Sequence, residues 1–515
     1  MTQPPMRIAL VSPKWHALAN SYPPLGLGYL AAVLEQDGHT VAIFDLGLDP
    51  KTLLEQDMER VAAFRPDLVG LTAMTNNYFS AEQAMSLVKA RIGCPVVVGG
   101  PHATVFTEGL LANPHIDYVI YGEGEETMRA LVRALAAEGP RPSDATLGAI
   151  AGLCFRRAEA TTGTERAVRN PPRPLLRDLD ALPFPARHLF ELKRYTLAAP
   201  EGAPMVTMLS SRGCPYHCSY CFKGIVGRTY RQRSPESVLS EIRHLMVAYG
   251  YRNFYFIDDL FALDRRRLRA ITARLIEERL DIRWQCLARV DRVTPELLEM
   301  MYRSGCRELH YGIESGNARI LKNLGKGITL EQVRQAIQWT ADAGILAKGY
   351  FMLGLPHDTE ETMQQTIQLA SELPLDQAMF SLTTPFPGTR LWDEFAARDP
   401  QAALATDFTQ AYYYANYDHM IRPFINVSNV ADDCLAHLAH AAQARFQEAK
   451  RRRKYVAALG PTLGRWLYAL SSNAALRRLG HGLLNARPIR ALRRRAGLGQ
   501  IGEYNLREEQ AHRWQ

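Results

Sequence analysis

Nowhere in this 515-residue chain does an uncharged apolar run approach the about 20 residues that a membrane-crossing helix needs. The opening MTQPPMRIALVSPKW has one early Arg and a short apolar stretch ahead of Pro13, so a buried first strand is expected, and neither a signal peptide nor an anchor. Cysteine is scarce. Eight in a chain of this size do not make a disulfide framework. Five of them (Cys94, Cys154, Cys286, Cys306 and Cys434) stand singly and are expected as buried thiols. Internal repeats and low-complexity tracts are missing as well, which speaks against a solenoid. With 47% hydrophobic and 22% charged residues the composition is that of a soluble globular protein. A cytoplasmic protein of two or three domains, at most peripheral to the inner face of a membrane, follows.

Acidic residues are nearly absent from one region. Between Arg445 and Arg495 there are 14 Lys and Arg against the single acid Glu448. The whole chain carries +8, so the body outside that region is mildly acidic and the basic character belongs to a tail.

What is present alternates. RIALVS (7–12), TVAIFDL (40–46), DLVGLTA (67–73), PVVVGGP (95–101) and the start of DYVIYGEGEETMRALVRALA (117–136) read as strands, with helical stretches between them. That order predicts a doubly wound parallel sheet over residues 1–140, with ligands at the carboxyl ends of its strands. Those ends carry Ser12–Trp15, Asp45–Gly47, Thr72–Asn77, Gly99–His102 and Gly122–Glu125. Residues 141–200, including the Pro-rich NPPRPLLRDLDALPFPARHLF, read as a linker region. A second alternating series fills 201–390, with strands at 205–211, 253–258, 283–290, 308–314, 347–355 and 377–384. Six β/α units match a partial barrel better than a closed one of eight. Residues 391–515 read as helical with a basic end.

The three remaining cysteines are clustered in SSRGCPYHCSYCF, directly after a strand. The spacing of Cys214, Cys218 and Cys221 lets three thiolates hold three irons of a 4Fe–4S cube and leaves the fourth iron open. A zinc site with His217 as fourth ligand is the alternative. Tyr220 and Phe222 flank Cys221, and an aromatic just before the last Cys is a mark of the radical S-adenosylmethionine motif that this loop resembles, which argues against zinc.

Residues from Pro204 to Thr389 resemble the radical S-adenosylmethionine (SAM) superfamily. FIDDLF (256–261), GIESG (312–316), GYFMLGLPHDT (349–359) and PFPGT (385–389) match its later strand ends in order. The resemblance implies that SAM chelates the open iron and is cleaved by one electron from an external flavodoxin- or ferredoxin-type reductant. It implies cofactor contacts for Glu314, near the SAM ribose and amino group, and for Asp258 and Asp259. Tyr216, Arg228 and Arg231 are near enough in sequence to reach the site, but arginines that follow a loop are expected mainly to cover surface.

A flavodoxin-like sheet ahead of such a barrel resembles the cobalamin-binding subgroup, on PPLGLGYLAAVLEQDGH, Asp45, VGGPHAT and YGEGE. The resemblance implies a corrin near Thr72, Asn76, Gly99, Gly100 and Gly122, where bare backbone and small polar groups permit close approach. The Asp-x-His-x-x-Gly motif for a lower axial histidine is absent, so His102 is expected to be a hydrogen-bonded turn residue. A cofactor-free sheet remains the alternative. A second-cluster methylthiotransferase is excluded by the two lone cysteines before the barrel, Cys94 and Cys154.

These resemblances imply an enzyme that methylates an unactivated carbon of a small or lipid-like substrate. The alternative within the subgroup is an oxidative cyclase or carbon-skeleton rearrangement enzyme, similar to the anaerobic magnesium-protoporphyrin monomethyl ester cyclase. A non-catalytic cobalamin or SAM sensor is the remote one. The basic tail, with Leu463, Leu467, Leu470 and Ala474 on one helical face and Trp466 and Tyr468 nearby, is expected to cap the barrel or to touch an anionic membrane surface; nucleic acid is not expected as a partner.

Overall fold

The computed structural model describes residues 4–15, 20–158, 165–199, 201–408 and 423–472. Its first sheet contains β1 (Arg7–Ser12), β2 (Thr40–Asp45), β3 (Leu68–Thr72), β4 (Val96–Gly99), β5 (Tyr118–Ile120), β6 (Leu153–Ala158) and β7 (Glu165–Arg169). The order across the sheet is β2-β1-β3-β4-β5-β6-β7, and the first five strands run parallel. Ile8 to Val11 are all buried, as a strand covered on both faces requires. Leu27, Ala31, Leu131 and Leu135 cover one face, and Met58, Val61, Met85 and Val88 the other. This is the expected doubly wound, flavodoxin-like order.

The predicted linker at 141–200 is a different matter. β6 pairs antiparallel with β5, and β7 with β6, so a hairpin extends the first sheet beyond residue 140. Its sequence hides this, because only Leu153, Cys154 and Phe155 of β6 are buried and β7 is almost wholly exposed. The irregular stretch that follows stitches the two halves together. The Ala186 amide donates to Gly28 O at 3.0 Å, and Arg187 pairs with buried Glu241 at 2.9 Å.

The second half begins with β8 (Met205–Met208) and a short hairpin of β9 (Ser211–Arg212) with β10 (Arg231–Gln232). β11 (Asn253–Phe256), β12 (Arg283–Ala288), β13 (Cys306–Glu314), β14 (Leu346–Leu353) and β15 (Gln377–Leu382) follow. Six strands form one all-parallel sheet in the order β15-β14-β13-β12-β11-β8, leaving β8 and β15 as edges. This is the partial barrel of six units. The helices between its strands are bounded by good capping residues. Ser234 caps Pro235–Tyr249 by accepting from the Ser237 amide, and left-handed Gly250 ends that helix.

Helices Asp432–Leu459 and Pro461–Ser472 close the described chain. Leu435, Leu438 and Ala442 pack on Leu353, Met363 and Ile367, and Arg453 donates to the Leu375 carbonyl at 3.1 Å. The first part of the basic stretch therefore caps the barrel. Ala474 and residues 473–515 generally lie outside the described residues, and so does the Leu470 side chain. Among the described residues no helix is long and apolar enough to cross a membrane. Cys154, Cys286 and Cys306 are buried as expected, whereas Cys94 and Cys434 are half-buried.

Candidate active site

Cys214, Cys218 and Cys221 lie between β9 and β10, and all three are half-buried. Asp258, completely buried, braces the start of their loop. It accepts from the Ser210 amide at 2.6 Å and from the Ser210 and Ser211 hydroxyls at 2.5 and 2.6 Å. Burial raises its pKa and Arg267 opposes the rise. Asp258, expected as a cofactor contact, thus has its oxygens on Ser210 and Ser211. Gly213 has φ +87°, and a Cβ there would lie 2.3 Å from the Thr229 carbonyl oxygen, so only glycine fits.

The rest of the loop is pinned from several sides. The Arg289 guanidinium carbon lies 3.5 Å from the Tyr216 ring centroid, and Arg292 Nε donates to the Tyr216 hydroxyl at 2.8 Å. The Ser219 amide donates to Leu324 O, and its carbonyl accepts from the Leu391 amide, both at 2.9 Å. Gly388 of PFPGT passes Phe222 so closely that a Cβ would lie 2.7 Å from the ring. Among the described residues no three His, Cys, Asp or Glu side chains converge on one metal ion. A cubane does not ask for that, because each thiolate takes a different iron. The His217 Nδ1 accepts from Arg228, which leaves Nε2 as the ring's remaining ligand atom. Burial raises the Cys221 thiol, with Lys223 opposing it; Lys223 pairs with half-exposed Asp259 at 3.3 Å, so Asp259 borders the loop.

Glu314 ends β13 with φ +70°, across a register shift against β14. Its Oε1 accepts from the Tyr220 hydroxyl at 2.9 Å and from Lys326 Nζ at 2.7 Å, and Lys326 also reaches that hydroxyl at 3.0 Å. Its Oε2 accepts no hydrogen bond among the described residues. The glycines of GIESG now have reasons. A Cβ on Gly312 would lie 2.6 Å from Glu314 Oε1, and one on Gly316 would lie 2.5 Å from the Gln365 carbonyl oxygen. Burial, with Glu314 alongside, holds the Tyr220 phenol well above its usual range. Nothing in the sequence marks Lys326, a lysine in a Gly-flanked turn.

Thr72, Asn76, Gly99, Gly100 and Gly122 gather at the carboxyl ends of β3, β4 and β5. Gly100 has φ +95°, and a Cβ there would press on Thr72 Oγ1 at 2.7 Å. A Cβ on Gly122 would meet nothing within 4 Å, so open space faces it, and one on Gly99 would make only an ordinary contact with the Ile120 carbonyl oxygen at 3.7 Å. Asn76 is 2% exposed, and neither amide atom has a partner among the described residues. An unpaired buried amide costs about 1–3 kcal/mol, which a bound polar group would offset. The cradle fits the amide-rimmed edge or nucleotide tail of cobalamin. His102 points elsewhere. Its ring stacks 4.1 Å from Tyr78 and 4.6 Å from Phe106, and its Nδ1 lies 3.3 Å from Thr75 Oγ1. Burial pushes its pKa down to about 4.

The two rims are latched together. Arg212 pairs with Glu123 at 2.9 Å and Glu125 at 2.6 Å, and Arg231 pairs with Glu123 at 2.8 Å. Burial works against the Glu123 charge, but Arg231 and Arg212 outweigh it and hold the carboxyl below the usual range. The YGEGE glutamates thus grip the β9–β10 hairpin from which the cysteine loop springs. Arg231, expected on the surface, is buried. Sequence reasoning missed this latch.

Residues 16–132 match the B12 binding domain, and residues 208–370 match the Radical SAM superfamily. An uncharacterized methyltransferase of Pyrococcus horikoshii is 35% identical over 397 residues, covering 75% of this chain and 83% of its own. The anaerobic magnesium-protoporphyrin IX monomethyl ester cyclase of Rubrivivax gelatinosus is 28% identical over 397 residues, covering 76% of this chain and 70% of its own. The structure of the radical SAM methyltransferase TsrM from Kitasatospora setae, with cobalamin and a 4Fe–4S cluster bound, shares the fold with a TM-score of 0.63 at 22% identity, covering 77% of this chain and 78% of that one.

Proposed function

The chain belongs to the cobalamin-binding radical SAM family, and on that premise we propose that it methylates an unactivated carbon of a small or lipid-like substrate. The observation that carries this is the 35% identity to an uncharacterized methyltransferase, against 28% to the cyclase. The cyclase shares the domain pair, so oxidative ring closure is the second reading.

The family's 4Fe–4S cluster, SAM and cobalamin supply an electron, an adenosyl group able to abstract hydrogen, and a transferable methyl group. Cys214, Cys218 and Cys221 would ligate three irons, on a loop fixed by Asp258, Gly213 and Tyr216. Glu314, anchored through Oε1, would offer Oε2 to the cationic amino group of SAM. Asp259 borders that site through Lys223. Thr72, Asn76, Gly99, Gly100 and Gly122 would cradle cobalamin. The Glu123–Arg212–Arg231 latch keeps the two rims in register. A flavodoxin- or ferredoxin-type protein would deliver the electron. Contact of the tail with an anionic membrane surface is the finest part of the reading. Its support is the charge surplus between Arg445 and Arg495 and the exposed Leu463 and Trp466.

The test is anaerobic reconstitution of the full chain with cobalamin, trideuteromethyl SAM and candidate lipids or tetrapyrroles, read by mass spectrometry. A transferred trideuteromethyl group supports methylation. Loss of hydrogen from the product without label supports cyclisation.

A further inference from the structure

The interior of a closed eight-unit barrel is packed with branched aliphatic side chains. The six-stranded sheet here is lined differently. Val206, Phe254, Trp284, Leu309 and Phe351 face the helices and join the apolar core. Strand alternation therefore turns Thr207, Tyr255, Glu308, His310, Lys348 and Tyr350 to the concave face. Register sets Tyr255 beside Thr207 and His310 beside Lys348.

Most of these groups are tied to one another. His310, 4% exposed, has Nε2 2.7 Å from Glu308 Oε1 and Nδ1 3.2 Å from the hydroxyls of both Tyr255 and Tyr350. Glu308 thereby fixes the orientation of the ring. Two groups are left over. Thr207 Oγ1 is fully buried and has no hydrogen-bond partner among the described residues. The Lys348 ammonium lies 5.4 Å from the Tyr350 ring centroid, and no oxygen accepts from it among the described residues. Burial depresses the Lys348 pKa, with Glu308 opposing the shift. Lys348 is half-buried, and an anion bound there would give its ammonium the acceptor that the described residues do not.

We propose that this concave face binds an anionic group of the substrate, a carboxylate or a phosphate, through the ammonium of Lys348. The proposal rests on the reading of the rim above as the reaction centre. Gly312 and Glu314 follow His310 on the same strand at about 3.3 Å per residue. The anionic end thus sits roughly 7–13 Å below the Glu314–Lys326 pair, and several bonds separate it from the carbon that reacts.

The test uses the anaerobically purified, cluster-bearing full chain, without SAM or cobalamin. It is titrated with inorganic phosphate, followed by phosphorus line width, and separately with acetate, followed by saturation transfer. Wild type and a Lys51→Gln control at an exposed site should bind at least one anion saturably. Lys348→Gln should bind it about ten-fold more weakly, and Lys348→Arg should return to within about three-fold of wild type. Binding of phosphate alone assigns a phosphate-bearing substrate, and of acetate alone a carboxylate. If melting curves show that Lys348→Gln is unfolded, Lys348→Met takes its place with the same expected loss. Equal binding by wild type and Lys348→Gln, or no saturable binding of either anion, overturns the proposal. Loss of deoxyadenosine formation with anion binding intact counts against the reaction centre and not against this site.

Discussion

Lys326 Nζ stands 2.7 Å from Glu314 Oε1, and both side chains are only 9% exposed. That pair, closed by the Tyr220 hydroxyl, ties the end of β13 to the cysteine loop. Removing one partner of a buried pair leaves a stranded charge, whereas removing both does not. Lys326→Met should therefore cost about 3–5 kcal/mol, and the double variant Glu314→Gln/Lys326→Met clearly less than the two single losses together. Urea unfolding of the four proteins measures the coupling. Strict additivity would mean that the pair contributes nothing.

The latch between the two rims makes a second prediction. Glu123→Ala leaves Arg212 and Arg231 buried with Glu125 as their only carboxylate in the latch. Hydrogen exchange across residues 211–232 should accelerate, with a loss of about 3 kcal/mol or more. Unchanged protection in that hairpin would show that the latch does not hold the loop.

Gly213→Ala should lower bound iron per chain, because the Thr229 carbonyl must move to admit a methyl group at positive φ. Gly26→Ala, in a helix with open space around it, should leave iron content unchanged. Equal iron in both variants would remove the geometric reason for a glycine before the first cysteine.

His102 makes a pH-dependent prediction with a definite sign. Its folded pKa of about 4 lies below the ordinary 6.5, so the unfolded chain takes up a proton first as the pH falls. Wild type should lose stability relative to His102→Gln between about pH 6.5 and 4, by up to about 3 kcal/mol. Denaturant midpoints at intervals across that window measure it. Parallel curves would mean that the ring is not buried between Tyr78 and Phe106.

The regular parts of the fold are legible in the sequence because apolar periodicity and burial coincide there. β1 and β2 begin at the predicted residues, and all six strands of the second sheet fall where the alternating pattern puts them. β6 and β7 escape such a reading because an edge hairpin buries only Leu153, Cys154 and Phe155 and carries no period. The cysteine loop is legible because its ligands are close in sequence. The groups that hold it are not, since Lys326 meets Glu314 from a separate turn and Arg231 meets Glu123 across 108 residues. Asp258 is visible as an acid at a strand end, but its commitment to Ser210 and Ser211 depends on tertiary contacts.

The most direct test of the central claim compares the anaerobically reconstituted full chain with its Cys214→Ala/Cys218→Ala/Cys221→Ala variant, both given SAM, cobalamin and a strong reductant. Iron, 5′-deoxyadenosine and S-adenosylhomocysteine are measured together. The account predicts a full cubane of iron and both nucleoside products from the wild type, with iron and 5′-deoxyadenosine lost from the triple variant. Retention of iron and continued 5′-deoxyadenosine formation in the triple variant would contradict it.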